Sequence, residues 1–326
     1  MNLGLRANHP GASADPRLPR DQALALRALA RSIQDPAAHR RIDRTPVVCV
    51  CSGKGGVGKS VVATNLSIVL ARRGLEPVLI DADAGTPNAD ILLGLTPGRR
   101  INPGLDSSMD LRAAVAPTHD GLRFLAGPTD PDAYVGRTVD RLVDAACGLS
   151  PRPGVIVLDA GAGIGPAVRA PARVSDLALV VLTPDPTSIA DAYALIKAIH
   201  LNRTTGEAPP RPLIGTVVNQ AINDAEARRC HERLAQCAGR FLGLNIQSMG
   251  WLPSCGSVRA GVRDRRPAVV GEADSAFSAS VRSLSGLICE HIRKPDNQDG
   301  WWRRAARFLR GGYSRNQERP FTPDNT

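Results

Sequence analysis

Residues 47–63, VVCVCSGKGGVGKSVVA, restrict the fold more than any other stretch of the chain. Val47 to Cys51 is a short run of β-branched and thiol side chains, the pattern of a buried strand. The chain then passes through glycine-rich residues into a segment with helical spacing. Gly53, Gly58, Lys59 and Ser60 satisfy G-x-x-x-x-G-K-[ST], a phosphate-binding loop. Glycines let backbone N–H groups turn inward around phosphate oxygens, where side chains would intrude. Lys59 supplies a point charge for the β/γ-phosphates, the Ser60 hydroxyl is placed to ligate Mg²⁺, and the following helix aims its positive end at the anion. The nucleotide-binding candidates are therefore Gly53, Lys54, Gly55, Gly56, Val57, Gly58, Lys59, Ser60 and Val61. They point to a nucleoside triphosphate.

The rest of the chain fits an α/β domain. The 326 residues suffice for one large domain plus tails, and 43% apolar content with only 3% aromatic implies a core of Val, Leu, Ile and Ala. No apolar run is long enough to span a bilayer, and the Arg-rich N-terminus lacks the apolar stretch of a secretory signal. The seven cysteines form no C-x-x-C pair, so they read as reduced residues of a cytoplasmic protein. A net charge of +10 suits a polyanionic partner, either nucleic acid or an anionic membrane.

Apolar strands are expected at 77–80, 122–127, 154–159, 177–182, 213–218 and 246–252, with helices over 187–200 and 224–242 between them; residues 96–121 read as irregular. This alternation predicts a doubly wound, mostly parallel sheet with helices on both faces. Two strands end in acids: Asp81 and Asp83 follow the second, and Asp159 closes the one at 154–159. Carboxyl ends of such strands are where ligands bind, and an apolar strand closing on Asp is the arrangement that reaches Mg²⁺. Asp159 could equally cap the following helix.

Both ends of the chain carry helical signals outside this core. Residues 1–18 and 313–326 have the composition of disordered tails. In residues 19–35, Gln22, Leu26, Leu29 and Ile33 share one helical face, either a packing arm or a docking peptide. A linker at 36–45 leads to the domain at 46–292. A second linker at 293–300 precedes residues 301–312, where Trp301, Trp302, Ala305, Ala306, Phe308 and Leu309 fall within an arc of about 160° opposite four arginines. This is either an interfacial amphipathic helix, with Trp301, Trp302, Phe308 and Leu309 entering the lipid, or a helix packing back on the domain.

The loop carries an additional lysine, Lys54-Gly55-Gly56-Val57-Gly58-Lys59-Ser60, and so resembles the deviant Walker A of the MinD/ParA ATPases, which are P-loop NTPases of the SIMIBI class. The resemblance implies binding of ATP with Mg²⁺, hydrolysis to ADP and phosphate, and an ATP-bound homodimer in which Lys54 reaches the partner's phosphates. Lys54, Lys59 and Asp83 would be catalytic, with Asp83 orienting the attacking water. Ser60, Asp81 and Asp159 would serve the metal, and Asn219 and Pro253 would contact adenine.

Three elements are closest to the FlhG branch (FleN/YlxH) of that family, the flagellar number regulators. They are Asp21-Gln22-Ala23-x-x-Leu26-Arg27, Asp159-x-Gly161-Ala162-Gly163-Ile164 and the 184–197 stretch PDPTSIADAYALIK. In that branch Asp21, Gln22, Leu26 and Arg27 would act on an FlhF-like signal-recognition-type GTPase. Flagellar C-ring proteins and the inner face of the cell membrane would be further partners, and nucleic acid is disfavoured. Ala160, Ala84, Thr86 and Pro87 depart from the branch's pattern and put the hydrolysis rate in question. The alternatives are a division-site or DNA-partitioning ATPase, and an ATP-binding scaffold with little turnover.

Overall fold

A computed structural model describes residues 45–96, 99–101, 111–128, 130, 138–201 and 212–293. The expected N-terminal helix with Asp21, Gln22, Leu26 and Arg27, and the amphipathic segment with Trp301, Trp302, Phe308 and Leu309, lie outside them.

Eight strands form one sheet in the order β3-β4-β2-β5-β1-β6-β7-β8. In chain order they are β1 (Val47–Ser52), β2 (Pro77–Ala82), β3 (Val115–Pro117), β4 (Arg123–Leu125), β5 (Val155–Ala162), β6 (Leu177–Leu182), β7 (Leu213–Ala221) and β8 (Gln247–Pro253). All pairs are parallel except β3 with β4. The expected strands are present. Residues 96–121, read as irregular, instead contribute a short helix, α3 (Leu111–Ala114), and the antiparallel edge strand β3. Three residues are too few to display an alternation.

The central strand β1 is buried along its whole length between β5 and β6. Its alternate side chains serve two cores, as strand geometry requires. Val47, Cys49 and Cys51 face the layer of α4 (Thr138–Cys147), α5 (Pro166–Val174), α6 (Pro186–Leu201) and α7 (Asp224–Leu242). Val48 and Val50 face α1 (Lys59–Arg72), α2 (Ala89–Leu93), α9 (Ala268–Gly271) and α10 (Ala276–Arg293). A further helix, α8 (Gly256–Arg263), follows β8.

Helix α7 starts with a reciprocal cap: Asn223 accepts from the Glu226 N–H at 2.9 Å, and the Glu226 carboxylate accepts from the Ile222 N–H at 2.8 Å. Helix α10 buries Phe277, Val281, Leu284 and Ile288 against α1 and β8. The cysteines among the described residues are free thiols; Cys49, Cys51, Cys230 and Cys289 are buried, whereas Cys237 is exposed.

Candidate phosphate-binding site

The carboxyl ends of β1, β2, β5 and β7 bring the expected residues together. At the end of β1 the Ser52 hydroxyl donates to the Lys54 carbonyl at 2.9 Å, which fixes the entry to the loop. A Cβ on Gly53 would fall 2.0 Å from the Asp191 carbonyl oxygen, so the loop runs directly against the backbone of α6. Gly56 and Gly58 have φ of 80° and 86°, the left-handed region that glycine enters without penalty. Any side chain on Gly58 would also meet the Asn219 amide at 2.4 Å. That amide nitrogen donates to the Val57 carbonyl at 2.8 Å. Asn219 thus braces the loop from the end of β7, while Pro253 ends the neighbouring strand β8 opposite Ala221.

Lys59 opens α1 and is buried. Its Nζ lies 3.1 Å from Asp83, 3.3 Å from the Ser60 hydroxyl and 3.7 Å from Asp159 Oδ1. Burial alone would lower the Lys59 pKa, but the Asp159 and Asp83 carboxylates outweigh it and raise it. The three acids around it are held differently. Asp83 Oδ1 accepts from the N–H groups of Gly85 and Thr86, at 3.2 and 3.1 Å, while Oδ2 takes Lys59. Burial works to raise its pKa, yet Lys59 and these N–H donors leave it below the ordinary value.

Asp81 sits opposite Asp159 across the β2–β5 pair. Its oxygens accept from the backbone N–H of Asp83 at 3.1 Å and of Ala89 at 3.0 Å, so the side chain organises the loop leading into α2. Burial first, and then the Asp159 charge, push its pKa up to about 7. Asp159 is wholly buried, and no donor lies within 3.5 Å in hydrogen-bond geometry; Lys59 at 3.7 Å and the Ser60 hydroxyl are the polar groups that face it. Burial raises its pKa against the opposing charge of Lys59.

A buried carboxylate whose one cation is 3.7 Å away, and shared with Asp83, has room for a second cation. Among the described residues no group of three or more His, Cys, Asp or Glu side chains could hold a metal by itself. Mg²⁺ keeps most of its waters and takes one or two carboxylates together with phosphate oxygens, a demand that the residues beside Lys59 can meet. Asp159, the Ser60 hydroxyl and Asp81, whose two oxygens each accept one backbone N–H and keep further lone pairs, are the groups that could hold it.

Lys54 has a contrasting environment. It is partly exposed, and its Nζ donates to Asp185 at 3.0 Å and to the Thr187 hydroxyl at 2.6 Å. Lys54 and the Thr187 N–H and hydroxyl hold the Asp185 carboxyl down at about 2. The pairing with Asp185 and Thr187 at the start of α6 is a part of the site that motif reading missed. The run Asp185-Pro186-Thr187-Ser188 carries an N-terminal helix pattern, and nothing local in it indicates a lysine more than 100 residues away.

A model of the CobQ/CobB/MinD/ParA nucleotide binding domain matches residues 48–264. The chain belongs to this family. It is 36% identical over 258 residues to antiactivator FleN of Pseudomonas aeruginosa, covering 78% of this chain and 86% of FleN. It is 29% identical over 253 residues to flagellum site-determining protein YlxH of Helicobacter pylori, covering 76% of this chain and 83% of YlxH. The fold is that of septum site-determining protein MinD from Pyrococcus horikoshii, solved with Mg-ADP. The TM-score is 0.60 at 19% identity, over 77% of this chain and 96% of MinD.

Proposed function

We propose that the chain is an ATP-driven switch: it binds ATP with Mg²⁺, dimerises, hydrolyses ATP slowly in the dimer, and regulates the number or placement of flagella. The buried acids around Lys59 carry this reading. An NTP site needs backbone donors for phosphate, a lysine at the β/γ-phosphates, a carboxylate for the metal and a polar group for the attacking water. The loop, Lys59, Asp159 with Ser60, and Asp83 fill these roles in turn. Asn219 and Pro253, at the ends of adjacent strands, would contact the adenine.

Bound Mg²⁺ would neutralise charge developing on the transferred phosphoryl group. The chain's own residues supply the rest. Asp83, with its lowered pKa, is a weak base; it orients a water by accepting a hydrogen bond rather than removing its proton. Lys59 moves from the carboxylates to the phosphates. Lys54, on the exposed rim, is placed to leave Asp185 and Thr187 for a partner's phosphates, where an added cation stabilises the transferring group. Dependence on a second subunit would follow.

The flagellar role rests on the similarity to FleN and YlxH over most of the chain. The segment with Asp21, Gln22, Leu26 and Arg27 would act on an FlhF-like GTPase. The segment with Trp301, Trp302, Phe308 and Leu309 would attach the dimer to the inner face of the cell membrane. Two weak tails on one dimer bind far better than one, because the second engagement is intramolecular. C-ring proteins are further candidate partners. No helix among the described residues is long and apolar enough to cross a membrane, so attachment would be peripheral.

Ala160 supports a second reading, a scaffold that binds ATP with little turnover: it is buried beside Asp159 and offers no hydroxyl to the site. Phosphate release with Mg-ATP, compared with Asp83→Ala and Lys54→Ala, separates the two. The switch requires measurable release that both substitutions abolish, with an ATP-dependent dimer by light scattering that Lys54→Ala alters. Release equal to the background of Asp83→Ala would leave the scaffold.

A further inference from the structure

Helices α1, α2 and α8 border a shallow surface depression with room for about 10 Å³, the space of a single water, beside the first turn of the phosphate-loop helix. Its apolar lining is Val61 from α1, Leu92 from α2, Val258 and Val262 from α8, and Pro267. At its margin Ile91 and Val262 remain 49% and 44% exposed, two of the few large aliphatic side chains left in solvent among the described residues.

The flank of this depression is cationic. Arg259, Arg263, Arg265 and Arg266 are all exposed, and the one acid in the run, Asp264, is already held by Arg263 at 3.1 Å. The turn that presents them is rigid. Arg266 N–H donates to the Gly261 carbonyl at 2.8 Å, and a Cβ on Gly94 would fall 2.7 Å from the Arg265 carbonyl, so α2 packs tightly on the turn. The surface is therefore preformed, which lowers the ordering cost of binding.

An apolar centre with a charged rim is the anatomy of a protein interface. A polyphosphate would gain nothing from Ile91, Val262 and the depression between them. We infer that this depression is a docking site for an acidic amphipathic helix of a partner protein. Its apolar stripe lies over the depression and covers Ile91, Val258 and Val262 without entering it, and flanking Glu or Asp residues meet the arginines.

The walls are also tied to the phosphate site. Val61 follows Ser60, Asp81 accepts the N–H of Ala89 at the start of α2, and Asn65 accepts the N–H of Val269 beyond α8 at 3.0 Å. Occupancy of the depression should therefore respond to nucleotide; this last step rests on the ATP-switch reading, whereas docking itself does not.

The test uses the full chain and a labelled helical peptide with Leu at i, i+3, i+4 and i+7 and Glu on the flanks. Fluorescence anisotropy should show saturable binding, weakened roughly tenfold or more by Val262→Asp and by Arg259→Glu with Arg263→Glu. Circular dichroism and unfolding midpoints should stay unchanged in both variants. A peptide with Arg in place of Glu should not bind. Absence of binding, or binding indifferent to either variant, overturns the proposal. So does preferential binding of duplex DNA or anionic vesicles that the arginine variant abolishes and Val262→Asp leaves intact. If both variants release the peptide but ATP and ADP leave its affinity equal, docking stands and the coupling to an ATP switch fails.

Discussion

Asp159→Asn isolates the electrostatic cost of burying Asp81 and Asp159 side by side. In the folded chain Asp81 titrates at about 7, raised by burial and by Asp159, against 3.8 for an ordinary aspartate. A carboxyl whose pKa is raised on folding binds more protons in the native state, so stability falls as pH rises between the two values. From pH 5 to 7.5 that loss is on the order of 2–3 kcal/mol for Asp81 alone. Asp159, raised in the same direction, adds to the slope.

Replacing Asp159 removes its own titration and one cause of the Asp81 shift, so the slope should become shallower by about 1 kcal/mol or more over this interval. The neutral side chain also escapes the desolvation of a buried charge, at the expense of its attraction to Lys59. Urea unfolding at pH 5, 6, 7 and 7.5 in EDTA measures the difference between wild type and variant. His231, whose pKa burial lowers, titrates equally in both and cancels. Mg-ATP should flatten the wild-type profile and leave the variant's nearly unchanged. Identical slopes for the two proteins in EDTA would refute the reasoning, because Asp81 and Asp159 could not then be coupled as their positions require.

Other consequences are simpler. Gly53→Ala forces a Cβ to within 2.0 Å of the Asp191 carbonyl, so it should cost about 1–3 kcal/mol in urea unfolding and weaken ATP binding as the loop shifts. Lys54→Ala should leave the unfolding midpoint and ATP binding intact while abolishing phosphate release. Phe277→Ala, at a fully buried position on α10, should cost about 3–5 kcal/mol by the same unfolding measurement, and the domain should bind ATP as before in buffer.

The phosphate site was legible because its parts are local patterns: a glycine-rich turn between strand and helix, and acids closing apolar strands. Topology then carried Asp81, Asp83 and Asp159 to Lys59, as a doubly wound sheet must when β2 and β5 lie on one side of β1. What stayed hidden was the use each carboxylate makes of its oxygens. That Asp81 turns both to backbone N–H groups, while Asp159 faces Lys59 and the Ser60 hydroxyl, depends on the path of the chain at 83–89. The bracing of Val57 by Asn219 is likewise a contact across 162 residues. Helix α10 is a different case. Phe277, Val281, Leu284 and Ile288 keep a helical period, but five serines from Ser275 to Ser285 dilute it and it escaped assignment.

The two lysines of the loop show how one site can be both stable at rest and incomplete. Three carboxylates surround Lys59, so the site at rest carries more negative than positive charge and a triphosphate adds to the imbalance. A bound Mg²⁺ would offset part of it, and proton uptake by Asp81, whose pKa is pushed up to about 7, a further part near neutral pH. The loop's own second cation is Lys54, and its present partners are exposed ones. An exposed pair exchanges for water with little loss, whereas withdrawing Lys59 from its buried acids without a replacement cation would be costly. The chain therefore keeps its committed charge inside and its transferable charge on the rim. A second copy, bringing both Lys54 and its own phosphates to that rim, could then complete the charge balance that one copy leaves open.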